Sequence, residues 1–149
     1  MRTLFLAILI CCFGSLQALD VRGAILYEDD TALVIFDLPT YGLSGNINFR
    51  KVQYVLKYKF PDQKKTTKLF PSYAKEIRFH YRGEKIRMIT VPEGTISDAW
   101  YSPKAPIFLK INVDGSCRLF EFFYEDVGPN SRTTRSIYYL RKGRGGYNG

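Results

Sequence analysis

The side chains that most often carry enzyme chemistry are scarce in this sequence. Its 149 residues include one histidine, His80, and three cysteines, Cys11, Cys12 and Cys117. A structural zinc site needs about four His or Cys ligands, and a nucleophilic thiol needs a base or a cation beside it. Because His80 and Cys117 stand far apart in the sequence, their spacing indicates no catalytic dyad. We predict no catalytic residue, no metal site and no cofactor, and therefore a protein that is not an enzyme.

Two acidic clusters, Glu28-Asp29-Asp30 and Glu125-Asp126, could offer oxygen ligands to calcium. Neither cluster has the ligand spacing of an EF-hand loop. The sequence also lacks a phosphate-binding glycine loop and the G-x-S-x-G nucleophile elbow. We therefore interpret the acidic clusters as turns between strands.

Basic side chains are the chemically active groups that this sequence concentrates. The net charge is +8, and residues 50–87 contain twelve basic but three acidic residues. Residues 130–149 contain five basic residues and no acidic one. A positive surface attracts polyanions, although lysines on strands also simply keep a sheet in water. We predict an anion-binding surface formed by Lys57, Lys59, Lys64, Lys65, Lys68, Arg78, Arg82, Arg87, Arg141, Lys142 and Arg144.

The N-terminal residues follow the three-part pattern of a secretory signal peptide. Arg2 precedes an apolar run over residues 3–13, and small and polar residues follow as far as Ala18. The run is shorter than the ~20 residues that a transmembrane helix requires. We predict a signal peptide at residues 1–18 and a secreted, extracellular protein without a transmembrane segment. The alternative is a buried N-terminal helix.

Cleavage after Ala18 would remove Cys11 and Cys12 and leave Cys117, so we expect no disulfide within the chain. Three interpretations of Cys117 remain open. It is a buried thiol that acts as a small apolar residue, it forms an intermolecular disulfide, or it is a reactive nucleophile. We accordingly expect either a monomer or a Cys117-linked dimer.

The elements that position these residues are predicted to be β-strands, because aromatic residues make up 15% of the chain and short alternating segments separate the turn residues. Arg78, His80 and Arg82 fall on one face of such a segment. Residues 127–135 read as a polar loop. Strands are predicted at residues 21–27, 32–38, 52–60, 77–82, 85–91, 107–113, 116–124 and 136–140, with a short one near residues 96–101.

The clearest predicted hairpin joins residues 107–113 to residues 116–124. Asp114 and Gly115 suit a two-residue turn, since such turns require positive φ. This turn would pair Val113 with Ser116, Leu109 with Phe120 and Ile107 with Phe122 on one buried face, and would leave Cys117 on the opposite, mixed face.

We therefore predict one all-β domain at residues 19–140, an antiparallel β-sandwich or barrel of about seven to nine short strands. A disordered, basic, glycine-rich tail is predicted at residues 141–149. The predicted function is a secreted binding protein that acts on an anionic macromolecule, surface or receptor. The partner would be an acidic glycan, an anionic surface or an acidic protein. We expect no nucleic acid, because the protein is predicted to be extracellular.

Two alternatives to this function stay open. The first is an extracellular carrier of a small apolar ligand, in which the strands close around the ligand as in lipocalins. The second is a secreted effector of saliva, venom or innate immunity that acts on a host or cell-surface receptor. The many aromatic residues fit a carrier and a filled core equally well.

Overall fold

The computed structural model is nearly all-β, which confirms that part of the predicted fold class, whereas the predicted sandwich or barrel is not confirmed. The predicted signal peptide and most of the short strand expected near residues 96–101 lie outside the described residues. No helix of the described part has the length and apolar character needed to cross a membrane. The structure describes residues 19–96, 102–129 and 131–142.

Eleven strands and one short α-helix form the described fold. Two single 3-10 turns, Gly42–Ser44 and Pro71–Tyr73, connect them. The elements are β1 (Leu19–Leu26), β2 (Thr31–Leu38), β3 (Thr40–Tyr41), β4 (Asn46–Ile47), α1 (Phe49–Val52), β5 (Leu56–Lys59), β6 (Thr67–Leu69), β7 (Glu76–Tyr81), β8 (Glu84–Val91), β9 (Ile107–Val113), β10 (Cys117–Val127) and β11 (Arg132–Lys142).

Nine of these strands belong to one continuous antiparallel sheet, in the order β11-β10-β9-β8-β7-β1-β2-β5-β6. Strands β3 and β4 pair separately. Because β11 and β6 are two separate edges, the sheet is not closed, and the predicted barrel is not formed. A closed barrel would need its first and last strands to pair with each other.

Each face of the sheet covers a hydrophobic core. On one face, which we call the inner face, Phe36, Phe79 and Met88 are fully buried and pack with Val52 of α1. The opposite face, called the outer face, carries a second cluster around Leu109, in which Ile111, Phe120, Phe122 and Ile96 are buried. Since side chains alternate along a strand, most charged residues of β1, β2 and β5–β8 fall on the outer face, beside apolar residues such as Ala24, Leu33 and Ile35.

The strand predicted at residues 52–60 is wrong in its first half. Helix α1 occupies Phe49–Val52, and β5 begins only at Leu56. The side chain of Asn48 accepts a hydrogen bond from the backbone N–H of Lys51 at 3.2 Å, which satisfies one of the free donors at the helix start. This cap lets a short helix form where alternation alone indicated a strand.

Gln53 follows α1 and joins two strands of the sheet. It is fully buried, and its backbone carbonyl accepts the N–H of Phe108 on β9 at 2.9 Å. On β10, its side-chain oxygen accepts the N–H of Phe123 at 2.6 Å, and its side-chain nitrogen donates to the carbonyl of Phe123 at 2.9 Å. One residue therefore takes the place of a strand partner where β9 and β10 separate.

The β9–β10 hairpin has the predicted strands but a different register. Val113 pairs with Leu119 instead of Ser116, and the pairing shifts between Leu119 and Phe120. The connection between this pair spans residues 114–118, longer than the two-residue turn expected from Asp114 and Gly115, and Asp114 forms ion pairs with two arginines there. At the register shift, Asn112 is an extra residue on β9 and forms a bulge.

The last strand is longer than the predicted residues 136–140. Strand β11 begins at Arg132 and pairs with β10 along eleven residues, so much of the predicted polar loop is strand. An ion pair of 2.9 Å between Arg135 and Asp126 contributes to this pairing. Arg141 and Lys142 belong to β11 and not to a disordered tail, and residues 143–149 lie outside the described part.

We expect the substitution Gln53→Leu to destabilise the protein by about 2–4 kcal/mol, because it leaves the buried N–H and C=O of Phe123 without their partners. The free energy of unfolding in urea measures this loss.

Gln63→Leu is the matched control, since Gln63 is exposed in the β5–β6 loop. Equal stability of the two variants would show that Gln53 does not hold β9 and β10 together.

Candidate anion-binding site

Cationic side chains collect on the outer face of the six strands from β8 to β6. The strand registers place seven basic and three acidic residues on this part of the outer face, which we call the basic face. The acidic residues are Asp20, Asp37 and Glu76. The basic residues are Arg22, Lys57, Lys59, Lys68, Arg78, Lys85 and Arg87.

Three of these cations form ion pairs with carboxylates of the same face. Lys59 lies 2.6 Å from Asp20, and both Arg78 and Arg87 bind Glu76. The other four, Arg22, Lys57, Lys68 and Lys85, are exposed and form no ion pair with a carboxylate of the described residues. They are therefore available to an external anion.

Lys57 and Lys68 lie directly opposite each other on β5 and β6. Residues in such a cross-strand pair have Cβ atoms about 4.5–5.5 Å apart, and like charges at that separation are unfavourable. Asp37 is the cross-strand neighbour of Lys57 on the other side. A bound anion would relieve the repulsion that the fold leaves between the two lysines.

Glu76 is the centre of an ion network at the β8 side of the basic face. Its carboxylate accepts hydrogen bonds from Arg78 at 2.5 Å and from Arg87 at 2.7 Å and 3.1 Å. Arg87 also binds Asp114, which in turn binds Arg118 at 2.9 Å. Three guanidinium groups thus surround two carboxylates, and the network keeps a net positive charge.

The pKa values within the network follow from these contacts. Burial alone would raise the pKa of Glu76, but hydrogen bonds from Arg87 and Arg78, together with their charges, lower it below its ordinary value. The hydrogen bond from Arg87 is the main reason that the pKa of Asp114 is also lowered. Both acids therefore stay ionised well into the acidic range.

A groove of about 650 Å³ opens on the basic face across β2, β1 and β7. Ala24 and Ile35 line it together with Leu33, whose side chain is 72% exposed. Arg22 and Lys85 are among the charged residues that also line it. An apolar depression with cations in its lining is thus the concave part of the candidate site.

The predicted site residues separate into several groups in the structure. Lys57, Lys59, Lys68, Arg78 and Arg87 lie on the basic face, and Lys64 and Lys65 are exposed in the adjoining β5–β6 loop. Arg141 is exposed on β11 at the far edge of the sheet, and Lys142 follows it there. Arg144 lies outside the described residues.

Arg82 has a structural environment that its sequence position did not reveal. It lies in the β7–β8 turn with a positive φ of 49°, and its guanidinium donates to Asn46 at 2.8 Å and to the carbonyl of Ser44 at 3.1 Å. These contacts hold the β3–β4 hairpin. Arg82 is therefore separate from the basic face, although alternation grouped it with Arg78.

Cys117 is a free, exposed thiol at the start of β10, opposite Lys142 on β11. The interpretation as a buried apolar residue is wrong, because Cys117 is exposed to solvent. The intermolecular disulfide and the reactive thiol stay predictions. Among the described residues, no three His, Cys, Asp or Glu side chains form a group suited to a metal ion.

Sequence reasoning missed Arg22 and Lys85 as site residues. Both stand in predicted strands, and the alternation of those strands would have placed them on the outer face. Leu33 and Ala24 were missed because a lone exposed leucine and a small residue give no signal until the register brings them together.

Comparisons with known proteins supply no family for this chain. No protein-family model, curated protein or solved structure shows significant similarity to it. The function must therefore be inferred from the site itself.

We expect Glu76→Gln to lower the free energy of unfolding by about 1–3 kcal/mol at pH 7, because charge-assisted hydrogen bonds to Arg78 and Arg87 are weakened. The lowered pKa of Glu76 means that its stabilisation is full above the unfolded-state pKa and is lost as the pH falls through the folded-state pKa. The deficit of the variant should therefore shrink between about pH 5 and pH 3.

Urea unfolding at several pH values measures this trend. Glu93→Gln serves as the control, since Glu93 is exposed and makes no ion pair with another described residue. A deficit for Glu76→Gln that stays constant down to pH 3 would contradict the role assigned to the ionised carboxylate.

Proposed function

We propose that this protein is a secreted, non-enzymatic binding protein whose basic face binds an anionic partner. The observation that carries the proposal is the set of four exposed cations, Arg22, Lys57, Lys68 and Lys85, on one face of the sheet without carboxylate partners among the described residues. Secretion rests on the signal-peptide pattern of residues 1–18.

The distribution of ion pairs supports binding over a purely solubilising role. A surface that only keeps a sheet in water usually mixes both signs of charge. Here Glu76, Asp114 and Asp20 are engaged by arginine and lysine, so four cations and the single carboxylate of Asp37 stay unpaired on the basic face, and the remaining charge is positive on balance. Such a surface attracts anions over a distance of about 8 Å at physiological salt.

The position of Lys57 opposite Lys68 adds a second argument. Like charges in a cross-strand pair weaken a sheet, so the fold gains nothing from this arrangement. Two ammonium groups at that spacing can, however, bind neighbouring anionic groups of one partner. An acidic glycan outside the cell presents its sulfates or carboxylates in this way, and we take it as the first partner to test.

The carrier alternative has a specific observation in its favour, the groove lined by Leu33, Ala24 and Ile35. Its site would differ from that of a lipocalin-like barrel, because Phe36, Phe79 and Phe108 fill the inner face of the sheet. The effector alternative uses the same basic face against an acidic receptor surface. All three functions thus depend on the outer face.

Charge reversal on the basic face should abolish binding to a polyanion. We expect the wild-type protein to stay on a heparin column at 0.15 M salt, where charges more than about 8 Å apart are largely screened. The variant Lys57→Glu, Lys85→Glu should elute below that salt concentration, because it changes two unpaired cations of the face into anions.

The control variant is Lys51→Glu, Arg132→Glu, which makes the same change in net charge on exposed residues of α1 and β11. It should elute close to the wild type. If both double variants elute at the same salt concentration, net charge alone explains the retention and the basic face is not the site.

A further inference from the structure

The groove on the basic face exists because the middle of β1 is small. Gly23 points to the inner face, where a Cβ atom would lie 2.5 Å from the ring of Phe36. Ala24 points outward with one methyl group, between its cross-strand neighbours Leu33 on β2 and Arg78 on β7. Because the side chain of Ala24 is much shorter than those of its neighbours on β2 and β7, a groove is left at this part of β1.

The groove combines an apolar surface with a cationic surface. Its lining includes Ala24, Leu33 and Ile35, and Leu33 is 72% exposed. The lining also includes Arg22 and Lys85, which are exposed and unpaired within the described residues, and His80, which is exposed. The apolar part of the lining favours a hydrocarbon, and its cations favour an anion.

We infer that this groove binds an anionic amphiphile, with one acyl chain along Leu33 and Ala24 and the anionic headgroup against Arg22 and Lys85. The inference rests on the proposed function of the basic face and adds a second class of anionic ligand, bound in the groove, to the acidic glycan considered for Lys57 and Lys68. Binding is non-covalent, and no bond is made or broken.

Charge and volume together select this occupant. A sulfated glycan would use Arg22 and Lys85 but would leave Leu33 exposed to water, and a neutral hydrocarbon would use Leu33 but leave the cations unpaired. An acyl chain with a charged end satisfies both. The volume of about 650 Å³ lies in the range of about 300–1,000 Å³ that is common for small-molecule sites.

A chain-length series of free fatty acids tests the apolar contact. Decanoate, dodecanoate and tetradecanoate, each kept below its micelle concentration, are titrated into the full protein by calorimetry. We expect each added methylene that enters the groove to raise the affinity up to about fourfold. Uncharged 1-dodecanol should bind at least about tenfold more weakly than dodecanoate, because it lacks the ion pairs. Equal affinity for all chain lengths would overturn the inference.

Two substitutions separate the apolar contact from the charges. Leu33→Ser removes an apolar side chain from the groove, and Ala24→Phe fills the groove. Both variants keep every cation of the basic face. Each should weaken dodecanoate binding at least about tenfold and leave the elution salt on heparin unchanged. Leu140→Ser is the control, because Leu140 is 71% exposed on β11 and lies outside the groove. It should bind dodecanoate like the wild type.

The outcomes distinguish this inference from the proposed function. If Leu33→Ser binds dodecanoate as well as Leu140→Ser does, the amphiphile site is refuted while retention on heparin still stands. If the charge-reversed double variant is retained like its control, the basic face itself fails. Leu33 is exposed, so its replacement by serine keeps the test valid even if Ala24→Phe does not fold.

The source of the amphiphile is resolved by two further probes. Lysophosphatidate with a twelve-carbon chain carries the same kind of chain on a phosphate, and its affinity relative to dodecanoate shows which headgroup the cations prefer. Vesicles of phosphatidylglycerol test an intact membrane surface. Binding to the monomeric amphiphiles supports the inference, and binding to vesicles alone overturns it.

Discussion

The open sheet depends on how the backbone groups of β9 and β10 are satisfied where these strands separate. Buried N–H and C=O groups are costly without partners, and Gln53 supplies partners to both strands through its backbone and its side chain. The residue therefore fixes α1 against the inner face. Phe49, in the same helix, stacks on Phe123 with ring centroids 5.1 Å apart, which adds an apolar contact to the polar one.

The position of α1 determines which face of the sheet is covered. The helix covers the inner face, where Phe36, Phe79 and Phe108 are fully buried. The ring of Phe36 fills the space over Gly23 and would clash with a side chain there. Gly23 therefore has room for no side chain on the inner face, and the next residue, Ala24, has only a methyl group on the outer face. These two small neighbouring residues accommodate the close core packing on one face and the groove on the other.

The sequence predicts those parts of this fold that follow from local alternation. The all-β class, most strands and the outer-face positions of Lys57, Lys59 and Arg78 follow from a period of two residues. Helix α1 was missed because its four residues are too few to show a helical period. The β9–β10 register and the groove were missed for another reason, since they depend on a bulge at Asn112 and on cross-strand neighbours that no local pattern specifies.

The basic residues of this chain fall into two groups, those that form ion pairs or hydrogen bonds within the fold and those that stay unpaired among the described residues. Arg87 and Arg82 use their forked donors to join distant segments, to Glu76 and Asp114 in one case and to the β3–β4 hairpin in the other. The unpaired cations are mostly lysines, whose compact ammonium groups stay hydrated and adapt to a ligand. On this part of the outer face, arginine thus binds Glu76 and Asp114 for the fold, while Lys59 binds Asp20. The positive charge that remains belongs to Lys57, Lys68 and Lys85 together with Arg22, and the proposed binding of an anion depends on it.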